Sequence, residues 1–115
     1  MIRALEGFAP EWYTPPGQDD SEPVTRFRIR PLDGAEYGEV ADYVEIDDGQ
    51  VMILSSGRNL CLQRGLLDWE HFSDSNGPVK FSQANARLIP HEYRMQLVAR
   101  ILTISNLDRD QEKNS

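Results

Sequence analysis

From Pro90 onward the chain carries an apolar helical stripe, and its width constrains the fold more than any other sequence feature. Tyr93, Leu97, Ile101 and Ile104 recur on one face, and Val98 and Leu102 broaden it. A stripe that wide belongs to a helix held on more than one side, so the rest of the chain has to close around it. Pro90 suits the first helical position, where an N–H would have no partner within the helix.

The material available for that task is small. The chain has 115 residues, room for one domain, and 39% of them are apolar. The expected division is an extended N-terminal arm over residues 1–23, a single globular domain over 24–107 and a flexible acidic tail over 108–115. In the arm, Pro10, Pro15-Pro16-Gly17 and Asp19-Asp20-Ser21-Glu22-Pro23 resist helix and sheet. Phe8, Trp12 and Tyr13 sit among them, with two readings open. They tuck into the domain as a latch, or they are anchors for a partner, since Trp and Tyr carry much of the energy of interfaces.

Residues 24–32 alternate, with Phe27 and Ile29 on one side and Arg26, Arg28 and Arg30 on the other: a half-buried strand with a basic outer face. Asp33-Gly34-Ala35-Glu36 has the form of a capping box and starts a helix with Tyr37, Val40, Ala41 and Val44 inward. After the turn at Ile46-Asp47-Asp48-Gly49, a second helix is expected over 50–64. It would turn Val51, Leu54, Cys61 and Leu62 inward, with Gly57 as a weak point and Gly65 as its stop. Ser82 caps a brief helix through Leu88, and 79–81 is a second candidate strand. The fold class expected is α+β, mainly α, with three or four helices packed on a small sheet. The core candidates are Phe27, Ile29, Trp69, Phe72, Phe81, Leu97 and Ile101.

Chemistry is hard to find. Cys61, the single cysteine, falls on an apolar helix face, where a free thiol acts as a small hydrophobe. Neither His71 nor His91 lies in a nucleophile setting. Asp68, Glu70, His71 and Asp74 form the densest set of metal-type ligands. However, Asn85 stands where a calcium loop beginning at Asp74 needs its bidentate Glu, and Asp74-Ser75-Asn76-Gly77 is ordinary turn chemistry. No catalytic, cofactor or metal residue is assigned, and an enzyme is not expected. A net charge of -7 argues against a nucleic-acid binder, whose affinity comes from clustered Lys and Arg. No apolar segment reaches a membrane span, and no opening run has the form of a secretory signal, so the expected compartment is the cytoplasm.

The order of certain motifs resembles the tail assembly chaperones of long-tailed phages and prophages. They are Phe8-Ala9-Pro10-Glu11-Trp12, Phe27-Arg28-Ile29-Arg30-Pro31-Leu32 before a Gly-Ala-Glu helix, and Leu66-Leu67-Asp68-Trp69-Glu70-His71-Phe72-Ser73-Asp74 with its Asn-Gly turn and Phe81. Ile104-Ser105-Asn106-Leu107 and Glu112-Lys113-Asn114-Ser115 close the series. The resemblance implies a small, mostly helical protein of the bacterial host's cytoplasm, absent from the finished virion. Its partner would be the tape measure protein, kept soluble while the tail tube protein polymerises around it. Self-association is compatible with this role. Many such families also make a longer product by ribosomal frameshifting, and Glu112-Lys113-Asn114 can be encoded as GAA AAA AAC, which contains the slippery run A AAA AAC. The alternative reading is a structural tail or neck completion component of the virion.

Overall fold

The computed structural model describes residues 1–2, 9–19 and 21–113, the last eight of them by backbone alone. Phe8, Asn114 and Ser115 lie outside the described residues. Among the described residues, three α-helices and seven short strands in three small sheets form a small α+β fold that is not clearly helix-dominated, which corrects the mainly α balance expected from the sequence. The correction has one physical origin. Short segments, some with a period of two and others with no pattern of their own, find a strand partner where helix or loop was expected.

The main sheet has three antiparallel strands: β1 (Glu11–Tyr13), β2 (Arg26–Ile29) and β5 (Leu66–Glu70), with β2 in the centre. β2 keeps the alternation of the sequence, Phe27 and Ile29 being buried. The register sets Tyr13, Phe27 and Trp69 side by side on the inner face and Trp12, Arg28 and Asp68 on the outer one. A shift between Arg28 and Ile29 pairs Ile29 with Leu66 and leaves Leu67 as an extra residue, the arrangement of a β-bulge. Glu11–Tyr13 is thus a strand within a segment expected to resist sheet. Three residues free of proline suffice when a central strand offers an unpaired edge.

α1 (Gly34–Ala41) carries the expected capping box. Asp33 accepts from the Glu36 N–H at 2.8 Å, and the Glu36 carboxylate accepts from the Asp33 N–H at 3.1 Å. Glu36 also receives both Nη groups of Arg30, at 2.9 and 2.6 Å. The Arg30 guanidinium beside it holds the Glu36 carboxyl below its ordinary value near 4.5. A depressed carboxyl contributes stability above its unfolded value and loses it as pH falls through the folded one. Thermal stability is therefore expected to decline below about pH 4.5. Glu36→Gln is expected to melt lower than the parent at neutral pH, with the gap closing on acidification. A gap constant with pH would remove the ion pair from the account.

The expected helix over 50–64 begins five residues late. β3 (Val44–Asp47) and β4 (Gln50–Ile53) form a hairpin, and α2 (Ser55–Gly65) follows. Asp48 and Gly49 have φ of 49° and 80°, the two left-handed residues of a turn whose twist matches paired strands. Gly57 is required by proximity. A Cβ there would stand 2.8 Å from Tyr43 Cβ and 3.0 Å from Ile53 Cγ2, so the glycine lets α2 pass against the root of the hairpin.

β6 (Ser73–Asp74) and β7 (Gly77–Pro78) make a second hairpin. The strand expected over 79–81 is thus displaced to Gly77–Pro78, and Val79 instead donates its N–H to the Phe72 carbonyl at 2.8 Å. The brief helix expected through Leu88 is one 3-10 turn, Asn85–Leu88, with the Ser82 hydroxyl accepting from Asn85 N–H at 3.0 Å. α3 (His91–Lys113) follows Pro90. Its backbone is helical through most of the segment expected as a tail, and the side chains of that segment lie outside the described residues.

Leu97, Val98, Ile101 and Ile104 of α3 are buried in one cluster with Phe27, Ile29, Leu32, Val40, Cys61, Leu62, Leu66 and Trp69. The wide stripe is therefore buried against α2, whose Gly65 approaches Ile101, within a core to which α1 and the sheet also contribute. Phe72 and Phe81 are half-buried against this cluster. The buried Ser105 hydroxyl donates to the Ile101 carbonyl at 2.6 Å and accepts from the Leu32 N–H at 2.8 Å. That pair of bonds satisfies an otherwise orphaned donor where the chain leaves the sheet.

Candidate functional site

The residues with chemical potential are occupied structurally. Cys61 is fully buried, and burial pushes its thiol up to about 12, leaving no thiolate near neutral pH. Asp68 accepts from the Trp69 N–H at 2.8 Å, Glu70 pairs with Arg26, and Asp74 closes an Asx turn onto Asn76 N–H at 2.8 Å. His71 has a φ of 57° and its carbonyl accepts from the Thr25 hydroxyl at 2.6 Å. Among the described residues no group of three or more His, Cys, Asp or Glu is placed to hold a metal, and no helix is long and apolar enough to cross a membrane.

The two described arm candidates part company. Adjacent residues of a strand point to opposite faces, so Tyr13 packs on the core while Trp12 lies on the outer face. Its ring stacks with the guanidinium groups of Arg26 and Arg28, 4.9 and 5.4 Å from the centroid. The basic row of β2 is therefore engaged by Trp12, Glu70 and the facing Asp68. Glu11 reaches Arg100 of α3 through two bonds of 3.0 and 3.2 Å. Further along, the Gln18 amide accepts from Thr25 N–H at 2.7 Å and donates to the Thr25 and Pro15 carbonyls at 2.9 and 3.0 Å. Residues 11–18 of the arm are thus fastened to the domain. Behind it lies an open cleft of about 580 Å³ lined by Pro15, Gln18, Thr25, Phe27, His71, Phe72 and Tyr93, among others.

The surface that sequence reasoning missed is the β3–β4 hairpin. Its register places Val44, Ile46, Val51 and Ile53 on one face and Glu45, Asp47, Gln50 and Met52 on the other. Val44 and Ile53 are half-buried at the root, while Ile46 and Val51 are 75% and 69% exposed. Met52, Leu54 and Tyr43 are exposed nearby. An apolar face thus continues from the core out into solvent, on a ribbon that among the described residues pairs with no other strand. The alternation of β-branched residues around Asp48-Gly49 was the signal that could have revealed it.

Charge is concentrated in the same place. Residues 31–57 hold seven acids and no Lys or Arg, and the other twelve acids are matched by the chain's twelve bases. Glu36 and Glu39 pair with Arg30 and Arg64. Among the described residues Asp42, Glu45, Asp47 and Asp48 are in no ion pair. The acid excess of the sequence therefore falls within this segment, and Glu45, Asp47 and Asp48 of it lie on the hairpin itself. Comparison with known proteins found no matching family model, curated protein or solved structure.

Proposed function

We propose that this chain is a tail assembly chaperone of a long-tailed phage or prophage, which binds the tape measure protein in the host cytoplasm and keeps it soluble during tail morphogenesis. The motif order from Phe8 to Ser115 supports the family. The observation that carries the reading physically is the pairing of an exposed apolar ribbon with an excess of acid on one segment. Apolar burial supplies attraction for the exposed faces of a long helical partner, and the surplus charge keeps the complex dispersed. The role needs no catalytic residue and no cofactor. The tail tube protein is a second partner in the same pathway of assembly.

Co-expression with the tape measure protein encoded beside it is expected to raise the soluble yield of that protein and to recover the two together. The complex should persist in added salt, because screening weakens charge contacts and leaves apolar burial in place. Unchanged solubility with no co-purification would count against the assignment. Stoichiometric presence of the chain in purified particles would instead favour a structural tail or neck component.

A further inference from the structure

We propose that the outward face of the β3–β4 hairpin is a docking surface for one amphipathic helix of another protein, its apolar stripe bordered by Lys or Arg. The inference deepens the chaperone reading and rests on it for the partner's identity. The chemistry of that partner is argued from the hairpin itself.

A sheet with one apolar face is stable when another element covers that face, and an isolated two-stranded hairpin is marginal in water. Here the inner half of the face is covered by the domain and the outer half, Ile46 and Val51, is bare. The uncovered residues project from the face of the ribbon, so a strand added at its edge would leave them exposed. Two strands about 4.8 Å apart present a width suited to a single helix about 10 Å across.

Charge selects the kind of helix. Glu45 and Asp47 lie on the reverse of a ribbon one strand thick, and Asp48 is in its turn. All three fall within roughly one Debye length, about 10 Å, of anything seated on the apolar face. That field favours a partner flanked by bases. It also disfavours a second copy of this chain, since two hairpins face to face would bring their unpaired carboxylates together.

The test uses the full chain and two synthetic amphipathic helical peptides with the same Leu and Ile stripe, one bordered by Lys and the other by Glu. Binding is followed by fluorescence anisotropy at low ionic strength. The Lys-bordered peptide is expected to bind about tenfold or more tightly than the other. Ile46→Thr/Val51→Thr keeps β-branched side chains and is expected to weaken that binding about tenfold with an unchanged melting temperature. Glu45→Gln/Asp47→Asn is expected to keep binding and shrink the discrimination between peptides. Equal affinity for both peptides, or full binding by the Thr variant, would overturn the proposal. Failure of both peptides to bind a chain that still solubilises the tape measure protein would overturn it while sparing the chaperone reading. Binding of the Lys-bordered peptide by a chain that leaves the tape measure protein insoluble would do the reverse. A concentration-dependent dimer abolished in the Thr variant, with no peptide bound, would assign the face to a second copy instead.

Discussion

Trp69→Ala is expected to lower the unfolding free energy by about 3–5 kcal/mol, out of a total that for a domain of this size is about 5–15 kcal/mol. The indole sits at the centre of an aromatic corner. It meets Phe72 and Phe81 edge-on at centroid distances of 5.0 and 4.9 Å and Phe27 at 6.3 Å. Its Nε1–H donates to the Val79 carbonyl at 2.7 Å, which ties β5 to the chain beyond the second hairpin. Alanine would leave a cavity among three rings and strip that carbonyl of its donor. Trp69→Phe is a milder change: it keeps a six-membered ring in the corner but removes the five-membered ring together with the N–H that Val79 accepts. It is expected to cost about 1–3 kcal/mol. Urea unfolding of the two variants beside the parent reads both numbers. A Trp69→Ala midpoint close to the parent's would show that the corner holds nothing together.

A comparable effect is expected where α2 meets α3, and here the sign matters as much as the size. A Cβ on Gly65 would stand 2.8 Å from Ile101 Cδ1 and 2.9 Å from its Cγ2. Ile101 is fully buried, so its β-branched side chain has nowhere to retreat. Gly65→Ala is therefore expected to destabilise by about 1–3 kcal/mol, although Ala for Gly raises helix propensity. Ile101→Ala alone is expected to cost about 2–5 kcal/mol. Combined, the two should cost less than their sum by at least about 1 kcal/mol, because the new methyl enters the space that the truncation opens. A double-mutant cycle measured in urea decides this. Strict additivity would mean that the helices do not approach as closely as described.

Several elements were legible in the residues, each for a local reason. The capping box of α1 was read directly because Asp33 and Glu36 satisfy each other's backbone within one turn. β2 declared itself by alternation, and α3 by its stripe and by Pro90. The hairpin at 44–53 was misread because its apolar face is exposed. Its hydrophobic residues suit a buried helix face when read locally, and a period of two over four residues on each side of a turn is a weak signal against it. β1 was invisible for another reason: three residues of a proline-rich arm have no pattern of their own, and only the unpaired edge of β2 makes them a strand.

The roles of Trp12 and Tyr13 show the same division. The sequence left both residues open to a latch or an anchor role, and neighbouring positions in a strand cannot share a face. Pairing with β2 sends Tyr13 to the core and Trp12 to the arginines outside. Gly57 and Gly65 read as a weak point and a stop, which their local conformation explains well enough. Their close approach to Tyr43, Ile53 and Ile101 belongs to segments distant in sequence or paired only after folding.

By itself, then, the sequence determined what depends on near neighbours: the caps, the turn at Asp48-Gly49, the apolar faces of β2 and α3, and the imbalance of charge. The tertiary structure alone decided which strands pair, which glycines must stay small, and that the apolar ribbon of Val44, Ile46, Val51 and Ile53 ends in solvent beside the unpaired acids. The reason is physical. Caps and periodicity are set by contacts within a few residues, whereas exposure is a property of what the rest of the chain leaves uncovered.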